Sequence, residues 1–146
     1  MPIIIEVNAD AQPHKIDRTR LKKAVRLVLK DAGIASAEIS IAVLNDERMQ
    51  ALNRQYLQHD YATDVLSFVL AHDAKLKSLD GEIIASSDYA AAQAPRYGWS
   101  MNDELLLYVI HGCLHLVGHD DTTASAKRIM RQAEKKYLRQ FGLERP

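Results

Sequence analysis

A chain of 146 residues with 47% hydrophobic content has the size and the apolar share of one domain, residues 1–146, with a buried core. Its 26% charged residues balance to zero net charge with histidine neutral, which excludes a disordered chain and a global pull on polyanions; the lone Cys113 excludes an internal disulfide, a cysteine-built zinc knuckle and a CxxC redox pair. The longest continuous apolar run, Leu105 to Ile110, falls far short of the ~20 residues that cross a bilayer, and the start Met1-Pro2-Ile3-Ile4-Ile5-Glu6 lacks a basic leader segment, so the expectation is a cytoplasmic protein with no membrane partner.

In chain order, Ile3 to Val7 reads as a strand. Ile16, Leu21, Val25, Val28 and Leu29 mark the inward stripe of a first helix that Gly33 can end. Ile39 to Leu44 alternates apolar and small residues as a second strand. Met49, Leu52, Tyr56 and Leu57 mark a short second helix, and Asp64 to Leu70 a buried strand between polar loops. The turn signal Asp80-Gly81 precedes a strand at Glu82 to Ala85, which can pair with the strand before it through a long hairpin connection. Ser86 to Arg96 is Ala-rich and helical up to Gly98. Ser100 with Asp103 forms a capping-box start for a helix that carries Leu105 to Ile110, apolar nearly all round and so placed through the core. A last helix, Thr123 to Phe141, buries Ile129, Met130, Ala133, Tyr137 and Leu138 and ends at Gly142. These elements predict an α+β fold, a small four-stranded mixed sheet packed with about five helices.

The chemistry concentrates in His111-Gly112-Cys113-Leu114-His115-Leu116-Val117-Gly118-His119-Asp120-Asp121, at the end of that buried helix. Four residues advance a helix by ~400° and about 6 Å, so His111 and His115 project from one face with the spacing of a metal clamp. On a straight helix His119 would sit roughly 12 Å from His111, too far for metal bonds of ~2 Å. A bend at Gly118 would let Asp121 swing back as an oxygen ligand, which favours His111, His115 and Asp121, with His119 as the competing third ligand. Two other readings stand beside this one. The histidines could be hydrogen-bonded core residues, and Asp120 or Asp121 could cap the last helix in competition with Thr122 and Thr123. Cys113 lies ~200° round the helix from both histidines and reads as a small core hydrophobe.

Gly112 stands where HExxH metalloproteases carry a glutamate base, which disfavours peptide hydrolysis. A metal here can still polarise a phosphoryl or carbonyl oxygen, with proton transfer left to His119, Asp120 or Glu82. Asp64, Ser67 or Glu82 could satisfy the second nitrogens of the histidine rings. Basic residues crowd the first helix (Lys15, Arg18, Arg20, Lys22, Lys23, Arg26, Lys30) and the last (Lys127, Arg128, Arg131, Lys135, Lys136, Arg139). They could track phosphates or form solvated faces. Tyr97 and Trp99, beside Gly98, could line a cleft or anchor a loop.

Leu52-Asn53 with Tyr56, then Thr63-Asp64-Val65-Leu66-Ser67-Phe68, Gly81-Glu82-Ile83-Ile84 and His111-Gly112-Cys113-Leu114-His115-Leu116-Val117-Gly118 follow one another in an order that resembles the YbeY family of bacterial metal-dependent endoribonucleases. The resemblance implies a four-stranded sheet with helices, a zinc ion held by three histidines, cleavage of single-stranded RNA in ribosomal RNA maturation, and association with the small ribosomal subunit and its assembly GTPase. Three positions depart from the family pattern. Asp121 stands at the third histidine, giving a two-His, one-carboxylate set that suits zinc and also manganese, iron or nickel. Leu57 stands at an arginine that contacts phosphate, with Arg54 one turn earlier as a possible substitute, and Glu82 stands at an aspartate. The expectation is a metal-dependent, single-strand-specific endoribonuclease acting in rRNA maturation. The alternatives are a catalytically impaired ribosome-assembly or RNA-binding factor with a structural metal, and a metallohydrolase of peptides or small molecules.

Overall fold

The computed structural model describes residues 2–9, 13–52 and 65–145. In chain order the elements are β1 (Ile3–Asn8), α1 (Arg18–Asp31), β2 (Ser36–Leu44), α2 (Asp46–Leu52), β3 (Val65–Asp73), β4 (Ser78–Ser86), α3 (Ser87–Gln93), a 3₁₀ turn (Ala94–Tyr97), α4 (Met101–Leu116) and α5 (Ala124–Arg139). The sheet has the order β1-β2-β4-β3, with β1, β2 and β4 parallel and β3 antiparallel to β4. This is the α+β arrangement of a four-stranded mixed sheet with five α-helices among the described residues. The parallel pair β1 and β2 needs a crossover, which α1 supplies; β3 and β4 need only a turn.

Asn53, Arg54, Tyr56, Leu57, Thr63 and Asp64 lie outside the described residues. Elsewhere the local signals land close to their elements. Ile16 lies just before α1 but packs on the core with it, and Gly33 at φ +77° lets the Ile34 N–H return to the Leu29 carbonyl at 3.0 Å. Ser86 and Thr123 prove to be the N-caps of α3 and α5 rather than their first helical residues.

Three expectations need correction. β3 is not a buried strand: it forms one edge of the sheet among the described residues, partly buried from Val65 to Phe68 and exposed from Val69 onward. Leu70 is an extra residue in its ladder, a bulge between the pairs Val69–Gly81 and Ala71–Asp80. Asp80-Gly81 is not the turn but lies inside β4, and the reversal falls at residues 74–77, where the Asp73 carboxylate accepts the N–H groups of Lys75 and Leu76 at 2.9 and 3.0 Å. Glycine at 81 answers close packing, since a Cβ there would meet a Leu116 methyl at 2.9 Å and the Phe68 carbonyl at 3.2 Å. Ile129, assigned to the buried stripe of α5, is 55% exposed, because the stripe runs through Met130, Tyr137 and Leu138 instead.

The centre of the molecule is α4. Ser100 and Asp103 form the reciprocal capping box, with the Asp103 N–H donating to Ser100 Oγ at 3.1 Å and the Ser100 N–H to Asp103 Oδ2 at 3.0 Å. Eleven of its sixteen residues are buried, so it passes through the core between β3 and β4 on one side and α1, α3 and α5 on others. It approaches the sheet at Gly112, where a Cβ would lie 2.9 Å from an Ile83 methyl and 3.2 Å from a Val65 methyl. That contact fixes which way the histidines point.

Candidate metal centre

His111 and His115 occupy the last two turns of α4, rings edge to face with centroids 4.7 Å apart and their Nε2 atoms 3.1 Å apart. The helix then stops at a glycine in the left-handed region, Gly118 at φ +105°, with the Gly118 N–H bonded to the His115 carbonyl and the His119 N–H to the Leu114 carbonyl. Reversing the chain there carries Asp121 back over the histidines. Its Oδ2 lies 3.7 Å from His111 Nε2 and 3.8 Å from His115 Nε2. Neighbouring residues take the capping duties: Asp120 accepts the N–H and hydroxyl of Thr122, and Thr123 caps α5 by accepting the Ala126 N–H at 3.0 Å. Asp121 has no part in either.

The three donor atoms lie within 4.8 Å of one another and could hold a metal ion. Bonds of ~2.1 Å in tetrahedral geometry require donors about 3.4 Å apart. The observed separations of 3.1, 3.7 and 3.8 Å bracket that value, so the residues fit the group. On the far side of the first ring, His111 Nδ1 lies 2.6 Å from Glu134 Oε2 of α5. A carboxylate can only accept, so the proton sits on Nδ1 and the Nε2 lone pair faces Asp121. Glu134 escaped the sequence reading. Its signal is a carboxylate between Met130 and Leu138, four residues from each, on the buried stripe of α5.

The remaining candidates separate by face. Ser67 pairs with Ile83 and shares the side of the sheet that carries α4, whereas Glu82 pairs with Phe68 and lies on the opposite side. The structure therefore does not bring Glu82 to the three donors. His119 lines a separate cavity with Val28, Asp31, Leu114 and Tyr137. Cys113 is fully buried, and desolvation pushes its thiol up to about 12, which makes it inert at neutral pH. Tyr97 and Trp99 hold the Arg145 guanidinium 3.8 and 5.5 Å from their ring centres, and Arg145 in turn binds both oxygens of the buried Glu104 at 3.0 and 3.2 Å. Both rings anchor Arg145, and Tyr97 also lines a cavity with His111 and Glu134.

The family model described as Endoribonuclease YbeY matches residues 6–142. A protein named Endoribonuclease YbeY from Carboxydothermus hydrogenoformans is 44% identical over 133 residues, 89% of this chain and 92% of that protein. One of the same name from Bacillus licheniformis is 33% identical over 156 aligned positions, 99% of both chains. The solution structure of TM1509 from Thermotoga maritima is similar with a TM-score of 0.64 and 25% identity, covering 95% of this chain and 88% of the other. Among the described residues no helix is long and apolar enough to cross a membrane.

Proposed function

The chain belongs to the YbeY endoribonuclease family, and on that premise we propose that it is a cytoplasmic, metal-dependent, single-strand-specific endoribonuclease of ribosomal RNA maturation, one domain over residues 1–146. The observation that supports this most is the convergence of His111 Nε2, His115 Nε2 and an Asp121 oxygen at distances suited to one ion. Two imidazoles and a carboxylate would hold zinc first, and accept manganese, iron or nickel. A divalent cation there supplies Lewis acidity toward a phosphoryl oxygen and toward water.

The chain's own residues prepare that centre. Glu134 holds the His111 ring in one tautomer, and Asp121 contributes the negative charge that draws a cation to the two imidazoles. Gly112, pressed on Ile83 and Val65, leaves no room for the glutamate base of peptide-cleaving helices, which argues against a peptidase. Asp120 is retained as a candidate for proton transfer, and Asp64 as a candidate partner for a histidine ring nitrogen. Association with the small ribosomal subunit and its assembly GTPase belongs to the same proposal, by family resemblance.

A second reading, an RNA-binding assembly factor with a structural metal, is favoured by Leu57 at the family's arginine position. Elemental analysis and a cleavage assay on single-stranded ribosomal RNA fragments separate the two. We expect bound metal in the wild type, its loss in His115→Ala and Asp121→Ala, retention in His119→Ala, and cleavage that a chelator stops. Unchanged metal in both of the first two variants refutes the ligand set. Metal binding without cleavage, with cleavage gained on Leu57→Arg, selects the assembly factor.

A further inference from the structure

The basic residues of the two crowded helices are used differently. In α1 the three arginines serve the fold, Arg18 donating to the Val7 carbonyl, Arg26 to the Ile3 carbonyl and Arg20 pairing with Asp103, while Lys22 and Lys30 are exposed on a face away from the metal-centre elements and serve below as the comparison. In α5, Lys136 pairs with Asp31. Lys127, Arg128, Arg131, Lys135 and Arg139 are all exposed, and none has a hydrogen bond or ion pair from its side chain to a described residue. Four of them, Lys127, Arg128, Arg131 and Lys135, line one shallow groove.

Their spacing makes that groove a stripe: Arg128, Arg131, Lys135 and Arg139 follow at steps of three, four and four residues, about 5–6 Å per step along one side of the helix. The stripe is also aimed. Arg131 and Lys127 lie three and seven residues before Glu134, so they share the flank of α5 that meets His111, and the helix is entered from Asp121. Lys127 closes the first turn and Arg128 opens the second, near the end of the helix where the dipole disfavours cations, and the first turn holds no acidic residue to compensate. Helix stability does not explain their place.

We propose that this flank of α5 is a track for the phosphate backbone of single-stranded RNA, with Lys127 and Arg131 holding phosphates nearest the His111–His115–Asp121 centre and Arg128, Lys135 and Arg139 carrying the strand away from it. The proposal rests on the RNA reading above and adds where the strand lies. Free guanidinium and ammonium groups at regular intervals bind a polyanion without regard to base identity, which is what a backbone track requires.

The test is binding rather than cleavage. Anisotropy of a labelled single-stranded RNA of about 12 nucleotides is followed against the full chain in chelator, over a range of salt. Each lost phosphate contact should flatten the plot of log affinity against log salt by about 0.7, so Lys127→Ala/Arg131→Ala/Lys135→Ala should lower the slope by about 2 and the low-salt affinity by about tenfold or more. The charge-preserving triple Lys127→Arg/Arg131→Lys/Lys135→Arg should keep both, and Lys22→Ala/Lys23→Ala/Lys30→Ala on α1 should leave the slope near wild type. Circular dichroism and zinc binding check that each variant is folded. A wild-type slope in the α5 alanine triple overturns the track alone, as does an equal loss in the α1 triple, which would signify diffuse attraction. A wild type that binds no RNA overturns the track together with the RNA reading beneath it.

Discussion

At the scale of single residues, the division of labour among Asp120, Asp121 and Thr123 decides what the centre can do. Any of the three could have capped α5; Thr123 does so, Asp120 closes a local turn, and Asp121 faces two imidazoles. Glu134 then governs the first imidazole from behind. Glu134→Gln keeps the size of the side chain but removes the anion, so the amide can donate to Nδ1 and favour the wrong tautomer. Zinc affinity, measured by competition with a chelating dye, should fall by about 10- to 100-fold while the fold persists. An unchanged affinity would show that the ring needs no such support.

Among elements, α4 and its neighbours carry the consequences. Gly112→Ala gains about 1 kcal/mol of helix propensity but drives a methyl against Ile83, a clash of the kind that costs about 1–3 kcal/mol. Gly112→Val adds more bulk with little of that gain, so urea midpoints should rank wild type above Ala and Ala above Val. At the other end of α4, burial works to raise the Asp103 carboxyl. The Ser100 N–H, Arg20 and the Ser100 hydroxyl outweigh it, and the group sits below the ordinary 3.8. A carboxyl lowered on folding contributes stability that is full above 3.8 and is lost as pH falls through its folded-state value. Asp103→Asn should therefore flatten the acid limb of stability against pH, read from thermal unfolding midpoints below about pH 4.

For the whole molecule, the neutral net charge conceals separation: α5 carries six basic residues and one acid, and the compensating acids lie elsewhere. The tail closes the molecule through a different pairing. Glu104 is 1% exposed and depends on Arg145, held between α4 and the rings of Tyr97 and Trp99. Arg145→Ala leaves that carboxylate buried without its partner and should destabilise the protein by about 1–3 kcal/mol in urea unfolding. Adding Glu104→Gln to Arg145→Ala should recover part of the loss, since a neutral amide is less costly to bury. No recovery would mean that the guanidinium acts through ring packing alone.

What could be read without coordinates was local. The capping box at Ser100, the pitch that puts His111 and His115 on one face, and the bend at Gly118 each depend on residues within a few positions of one another, where backbone geometry dictates the outcome. The order of the strands, the exposure of β3, the side of the sheet taken by Glu82 and the reach of Glu134 to His111 required distant segments to meet. Period-two alternation says that Ile83 and Glu82 point opposite ways but not which of them faces α4, because only packing of that helix against the sheet breaks the tie.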